Sequence, residues 1–167
     1  MNEIMNRRST RKFLDKAVEP EKVERILRAA MQSPTGRNAQ DWEFLVVTDA
    51  EKRVAASQAS PYSVCVKNAP MLIIPLANME RTQGDDLLWT CDLGAATQTI
   101  LIQTEAEGLG ATWLACWPYA DRMACIRTAF ALPEHIIPYA IIPIGYKERI
   151  KPFEDRYDPE KVHWERY

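Results

Sequence analysis

Three polar stretches of this 167-residue chain carry side chains suited to gripping an anion and a flat heterocycle. The run Arg7-Arg8-Ser9-Thr10-Arg11-Lys12 places four cations and two hydroxyls in six residues, just ahead of Phe13. Fork-shaped guanidinium groups donate in pairs to phosphate oxygens, and a neighbouring serine hydroxyl can bond a polyol or a ring carbonyl. Taken alone, the run is equally a solvated basic turn, because phosphate motifs this short recur by chance. The second stretch, Ser33-Pro34-Thr35-Gly36-Arg37-Asn38-Ala39-Gln40-Asp41-Trp42, holds amide side chains that offer a donor and an acceptor together, the pattern needed to read a heterocycle's edge. It is also what an ordinary helix-ending turn looks like. The third, Gly108-Leu109-Gly110 followed by Ala111-Thr112-Trp113-Leu114-Ala115-Cys116-Trp117-Pro118, lacks the full G-x-G-x-x-G and follows a helix instead of opening one. A dinucleotide-binding turn is therefore a poor fit there, and the stretch is not read as one.

These stretches must be held by the elements around them. A short N-terminal helix precedes the basic run. Glu19-Pro20-Glu21 opens a second helix on which Val23, Ile26, Leu27 and Ala30 recur at helical spacing, and Ser33-Pro34-Thr35-Gly36 ends it. Glu43 to Thr48 reads as a buried strand, after which Asp49 caps a helix to about Ala59. Met71 to Ala77 is a second strand. Leu87 to Glu107 is a helix apolar on nearly every side, a pattern expected in a core or against another subunit, and Gly108 caps it. Ala111 to Cys116 is expected as a third strand, Asp121 to about Ala131 as a helix ended before Pro133, and Tyr139 to Ile144 as a fourth strand stopped by Gly145. Pro75 and Pro143 each remove a ladder donor, so their strands are expected to be edges, bulged or short. From Lys147 onward, charged residues interleave with Phe153, Tyr157, Val162, Trp164 and Tyr167, a tail too aromatic for a solvated end and expected to wrap a surface.

Composition narrows the function classes. With 47% apolar and 26% charged residues, no repeat and no linker, one globular domain over residues 1–167 is expected, with 147–167 as its extended tail. A net charge of −2 gives no global attraction to nucleic acid or an anionic membrane. No apolar run reaches membrane-span length and the start lacks a signal-peptide core, so a cytoplasmic location is expected. Cys65, Cys91, Cys116 and Cys125 form no CxxC pair and are expected as reduced thiols; with only His135 and His163 besides, no metal site is expected.

Taken in order, the motifs resemble the FMN-dependent nitroreductase family over essentially the whole chain. The resemblance rests on the RRSxRxF start and on the loop residues Pro34, Thr35, Asn38, Gln40 and Trp42. It continues through Asp92-Leu93-Gly94-Ala95-Ala96-Thr97-Gln98, the GLG turn with its Trp-containing strand, Ile144-Gly145-Tyr146 and the closing Asp155-Arg156-Tyr157. Three positions depart from the family pattern: Asp41 stands where proline is usual, and Thr35-Gly36 replaces a serine pair. The chain also lacks the insertion that covers the flavin in larger relatives such as iodotyrosine deiodinase.

The resemblance implies an α+β fold, a three-layer α/β/α sandwich around a mixed, largely antiparallel sheet, with the tail reaching onto a dimer partner. It implies an FMN site in which Arg7 and Arg11 hold the phosphate and ribityl chain, with Arg8 and Ser9 beside the ribityl chain and pyrimidine edge and Arg156 as a second phosphate ligand. Pro34, Thr35, Gly36, Asn38 and Gln40 would reach the flavin held by the other subunit, and Cys116, Trp117 and Pro118 would lie near the ring, where a backbone N–H meets N5. The flavin carries the chemistry and no catalytic side chain is required. The implied activity transfers electrons from NADH or NADPH to a flat acceptor such as a nitroaromatic or quinone. The alternative is a non-catalytic flavin-binding or storage dimer. A rival enzyme class would use Cys116 or Cys125 as a nucleophile, for which neither histidine supplies a recognisable base.

Overall fold

The computed structural model describes residues 2–82 and 87–167. A short helix, α1 (Asn2–Asn6), leads into the basic run, and α2 (Pro20–Ala30) starts with proline at its first position, where the missing N–H has no intrahelical partner to lose. Strand β1 (Trp42–Val47) leads to α3 (Ala50–Ser57), whose cap is Asp49: its carboxylate accepts the Lys52 N–H at 2.8 Å. Strand β2 (Met71–Asn78) is buried along its whole length, and the long helix α4 (Leu88–Ala106) follows. Gly108, at φ +74°, ends that helix in the left-handed conformation glycine adopts without strain. The chain then forms β3 (Gly110–Ala111), β4 (Leu114–Ala115), α5 (Ala120–Phe130), β5 (Ile136–Pro138) and β6 (Ala140–Gly145).

The sheet runs β1-β2-β6-β3, with β4 also on β6 and β5 also on β2; among the described residues every strand pair is antiparallel, and one parallel bridge joins Ser9 to Ala111. Along β2 the pleat sends Leu72 and Ile74 into a core that includes Ala56 of α3 and Ile126 of α5. It sends Met71 and Ile73 into a second core with Ile26 of α2 and Ile100 of α4. Helices cover both faces, which gives the three expected layers.

The two prolines act differently from expectation. Pro75 lies mid-strand in a central strand that is neither shortened nor at an edge. Beyond it β2 exchanges its partner, pairing with β6 through Met71–Ile73 and with β5 through Leu76–Asn78. The Pro75 carbonyl accepts the Tyr139 N–H at 2.9 Å, and Tyr139 is the single residue between β5 and β6. A residue's N–H and C=O point to the same side of a strand, so the donor Pro75 lacks falls at this junction. Pro143 works likewise on β6: the residues around it pair with β3 at Ile144–Gly145 and with β4 at Ala140–Ile141, leaving Pro143 opposite a gap. That gap splits the expected third strand into β3 and β4.

Helix α4 buries one face, including Trp89, Leu93, Ala96, Ile100 and Leu101, while Leu88, Cys91, Gln98 and Ala106 remain exposed. Among the described residues no helix is long and apolar enough to cross a membrane.

Candidate functional site

The basic run is built into the sheet's margin. Beyond the Ser9 bridge, the Thr10 N–H donates to the Ala111 carbonyl at 2.8 Å, Phe13 bridges Lys147, and the Leu14 N–H donates to the Tyr146 carbonyl at 2.9 Å. Residues 9–14 therefore lie beside β3 and the start of the tail, and the two ends of the chain meet. Gly110 permits this approach: a Cβ there would stand 2.5 Å from Thr10 Oγ1 and 2.6 Å from Lys147 Cγ. Tyr146, from the Ile144-Gly145-Tyr146 motif, locks the same corner. Its hydroxyl donates to the Glu19 carboxylate at 2.7 Å and accepts from Lys22 Nζ at 3.2 Å, which ties the end of β6 to the start of α2.

Two adjoining cavities open where the ends meet. One, of about 580 Å³, is lined by Arg7, Arg8, Ser9, Arg11, Lys151, Pro152, Phe153, Glu154 and Arg156. The other, of about 670 Å³, shares Arg8, Ser9, Arg11, Lys151, Pro152 and Phe153, and adds Lys12, Glu105, Lys147 and Arg149 among others. The four basic-run residues that the resemblance places at the cofactor, Arg7, Arg8, Ser9 and Arg11, together with Arg156 from the far end, thus line one cavity. Sequence reasoning missed Lys147, Arg149 and Lys151. Their signal was an i, i+2, i+4 recurrence of cations, the spacing that places side chains on one side of an extended segment.

The cations differ in their commitments. Arg8 donates to the carbonyls of Met5 at 3.1 Å and Arg7 at 2.9 Å and to the Glu154 carbonyl at 3.4 Å, with its guanidinium 5.9 Å from the Phe153 ring centre. It works as a strap between the chain ends. Arg156 pairs with Glu154 at 3.2 Å, and Lys147 with Glu105 at 2.6 Å. Among the described residues no carboxylate pairs with Arg7, Arg11, Lys12, Arg149 or Lys151. In a chain of net charge −2, this is a local excess of positive charge around a concave site.

The loop after α2 lies apart from the residues lining these cavities. Its framework is fixed: Ser33 Oγ donates to Thr99 Oγ1 at 2.9 Å, and the Gly36 N–H donates to Asp92 Oδ1 at 2.9 Å. The Asp92 motif thus acts as the loop's anchor on α4. Arg37, Asn38 and Gln40 have φ of 54°, 55° and 49°, three non-glycine residues in the left-handed region within four positions. Such strain persists only where the surroundings enforce it, and it clusters at binding sites. Gln40 Nε2 donates to Asn38 Oδ1 at 2.9 Å, and both side chains, like Pro34, are exposed, while Thr35 and Gly36 are half-buried.

Asp41, the residue that departs from the family pattern, is 1% exposed and its Oδ1 has no hydrogen-bond partner. Burial, and secondarily the nearby Asp92 charge, push its carboxyl above the ordinary aspartate range. The folded state therefore holds this proton more tightly than the unfolded chain does. The resulting stability is present at low pH and is lost as pH rises toward the raised value. Asp41→Asn is expected to unfold at higher temperature than the wild type near neutral pH, with the gain vanishing below the ordinary aspartate range; melting curves across pH check this.

The segment after β4 is bonded inward to the residue between β5 and β6. The Cys116 side chain is fully buried, and burial pushes its thiol up to about 12. Its N–H and that of Trp117 both donate to the Tyr139 carbonyl, at 2.9 and 3.1 Å. Neither amide is turned outward, and Pro118 has none. An outward N–H in this region must come from the first turn of α5, whose amides lack intrahelical acceptors. Trp117 is half-buried, with its ring centre 4.8 Å from that of Trp89. Burial argues against Cys116 as a thiolate nucleophile, and burial also raises the Cys125 thiol.

The nitroreductase family model matches residues 4–83 and 61–146. A Methanothermobacter thermautotrophicus protein, provisionally named an NADH dehydrogenase/NAD(P)H nitroreductase, is 37% identical over 98% of this chain and 85% of its own length. The structure of a Clostridium acetobutylicum protein, provisionally named an NADH oxidase, superposes with a TM-score of 0.95 at 38% identity, covering 99% of both chains. The FMN-dependent nitroreductase of Clostridium difficile R20291 superposes with a TM-score of 0.92 at 31% identity, covering 100% of both chains.

Proposed function

The chain belongs to the nitroreductase family, and from that premise we propose that it is an FMN-dependent oxidoreductase, passing electrons from NADH or NADPH to a flat acceptor such as a nitroaromatic or quinone. The observation that carries the reading is the meeting of Arg7, Arg11 and Arg156, from opposite ends of the sequence, on one cavity with Ser9. Arg7 and Arg11, which have no carboxylate partner among the described residues, together with the solvent-exposed Arg156–Glu154 pair and a hydroxyl, fit a phosphorylated polyol. Arg7, Arg11 and Arg156 would hold the phosphate, joined by Lys151, while Arg8 and Ser9 would lie along the ribityl chain. FMN, when bound, supplies the redox chemistry by accepting a hydride and releasing electrons to the acceptor. The protein contributes position and charge. Donors fixed before reaction stabilise developing negative charge without reorganising.

In the same reading the chain is one domain working as a homodimer in the cytoplasm. The four free cysteines support a reducing compartment. The exposed face of α4 and the tail's Tyr157, Trp164 and Tyr167, all more than half exposed, support burial against a second copy. Pro34, Thr35, Gly36, Asn38 and Gln40 would then meet the partner's flavin, and Trp117 and Pro118 would border the ring. Sedimentation of the flavin-loaded protein is expected at twice the 19.1 kDa chain mass; a monomer mass overturns the shared site.

Anaerobic mixing with NADH and with NADPH tests the activity. Rapid bleaching of the flavin colour by at least one of them is expected. Colour that persists with both leaves a flavin-storage protein instead.

A further inference from the structure

We propose that the 670 Å³ cavity is a second anion site, which takes the 2′-phosphate and adenine of NADPH and makes this chain selective for NADPH over NADH. The inference rests on the reading above and names the reductant that reading leaves open.

Charge is the first argument. A phosphate monoester carries about −1.5 to −2 near neutral pH, which the unpaired Arg7, Arg11 and Lys151 suffice to balance, Arg156 sharing its charge with Glu154. Lys12 and Arg149 line only the larger cavity, and neither has a carboxylate partner among the described residues. Lys147 adds no net charge, because Glu105 neutralises it at 2.6 Å, and that half-buried pair forms a fixed wall. What remains is a pair of free cations beside a site whose own anion is already matched. Such a pair fits a second dianion, and an arginine is what distinguishes a 2′-phosphate from a 2′-hydroxyl.

The second argument is aromatic. Phe153 lines both cavities and is 53% exposed, with the Arg8 guanidinium 5.9 Å from its ring centre. An open ring next to a guanidinium is a stacking platform for a base. Cations and an aromatic face side by side match adenosine 2′-phosphate, whereas NADH offers the same base with an uncharged hydroxyl in place of the phosphate.

The test uses the flavin-loaded protein. NADPH is expected to exceed NADH in kcat/KM by at least tenfold, and in calorimetry adenosine 2′-phosphate is expected to bind more tightly than adenosine 5′-phosphate. In Lys12→Ala/Arg149→Ala the NADPH to NADH ratio should fall toward one. Phe153→Leu, which leaves the charges in place, should weaken adenosine 2′-phosphate binding several-fold. Equal use of the two nucleotides by the wild type, or an unchanged ratio in the double variant, overturns the proposal. So does a tenfold loss of FMN affinity in the double variant, which would assign the cavity to the flavin. A yellow protein that bleaches equally with both nucleotides defeats this inference alone, while a protein that stays colourless in FMN defeats the underlying reading too.

Discussion

Arg156→Ala is expected to weaken FMN binding by roughly ten- to hundredfold, the equivalent of about 1.5–3 kcal/mol for a charge-assisted phosphate contact. Two features place the effect toward the lower end. The Arg156 side chain is 69% exposed, so solvent screens it, and Glu154 at 3.2 Å already satisfies part of its charge. The same features make the loss dependent on salt, larger at low ionic strength and shrinking as the screening length falls. Quenching of free FMN fluorescence during titration reads the affinity directly. An unchanged dissociation constant would remove the tail from the site, even though Arg156 lines the same cavity as Arg7 and Arg11.

Gly110→Ala is expected to damage fold and site together. The added methyl would stand 2.5 Å from Thr10 Oγ1 and 2.6 Å from Lys147 Cγ, and neither neighbour can yield cheaply. Thr10 is buried and its N–H is bonded to Ala111, while Lys147 is held by Glu105. Overpacking of this kind costs about 1–3 kcal/mol, and the displaced segment is the one that carries Ser9 and Arg11. A lower melting temperature accompanied by weaker flavin binding is the expected result. Gly108→Ala is the contrast. Its added Cβ meets nothing within 4 Å, so its cost is the left-handed backbone alone and flavin affinity should hold. Equal flavin affinity in the Gly110 variant would show that the contact of Gly110 with Thr10 does not set the cavity.

Helix positions were legible in the sequence because their signals are local. Asp49 capped α3, Pro20 opened α2 and Gly108 closed α4 where the pattern placed them. The strands were harder, because a ladder depends on its neighbour. The split of Ala111–Cys116 into β3 and β4 follows from Pro143 on the adjacent strand, and β5 exists because β2 changes partner beyond Pro75. The cavity was half legible. The arginine run and Arg156 were readable as motifs, whereas Lys147, Arg149 and Lys151 became visible as a set only when the tail was seen to run extended alongside residues 9–14. The use of the Cys116 and Trp117 amides was not legible for a related reason: it depends on Tyr139, a residue more than twenty positions away.

The tail does two jobs with one piece of backbone. It lends Lys151 and Arg156 to the cavity and, a few residues on, bares Trp164 and Tyr167. Docking of those rings on the proposed second copy would therefore fix where the arginine stands. In the proposed dimer, occupancy of the cavity and docking of the rings would be linked equilibria, and by reciprocity each would shift the other by the same factor; a shared, well-formed tail would make that coupling favourable. Diluting the protein would then loosen its grip on the coenzyme, and stripping the coenzyme would loosen whatever the rings hold.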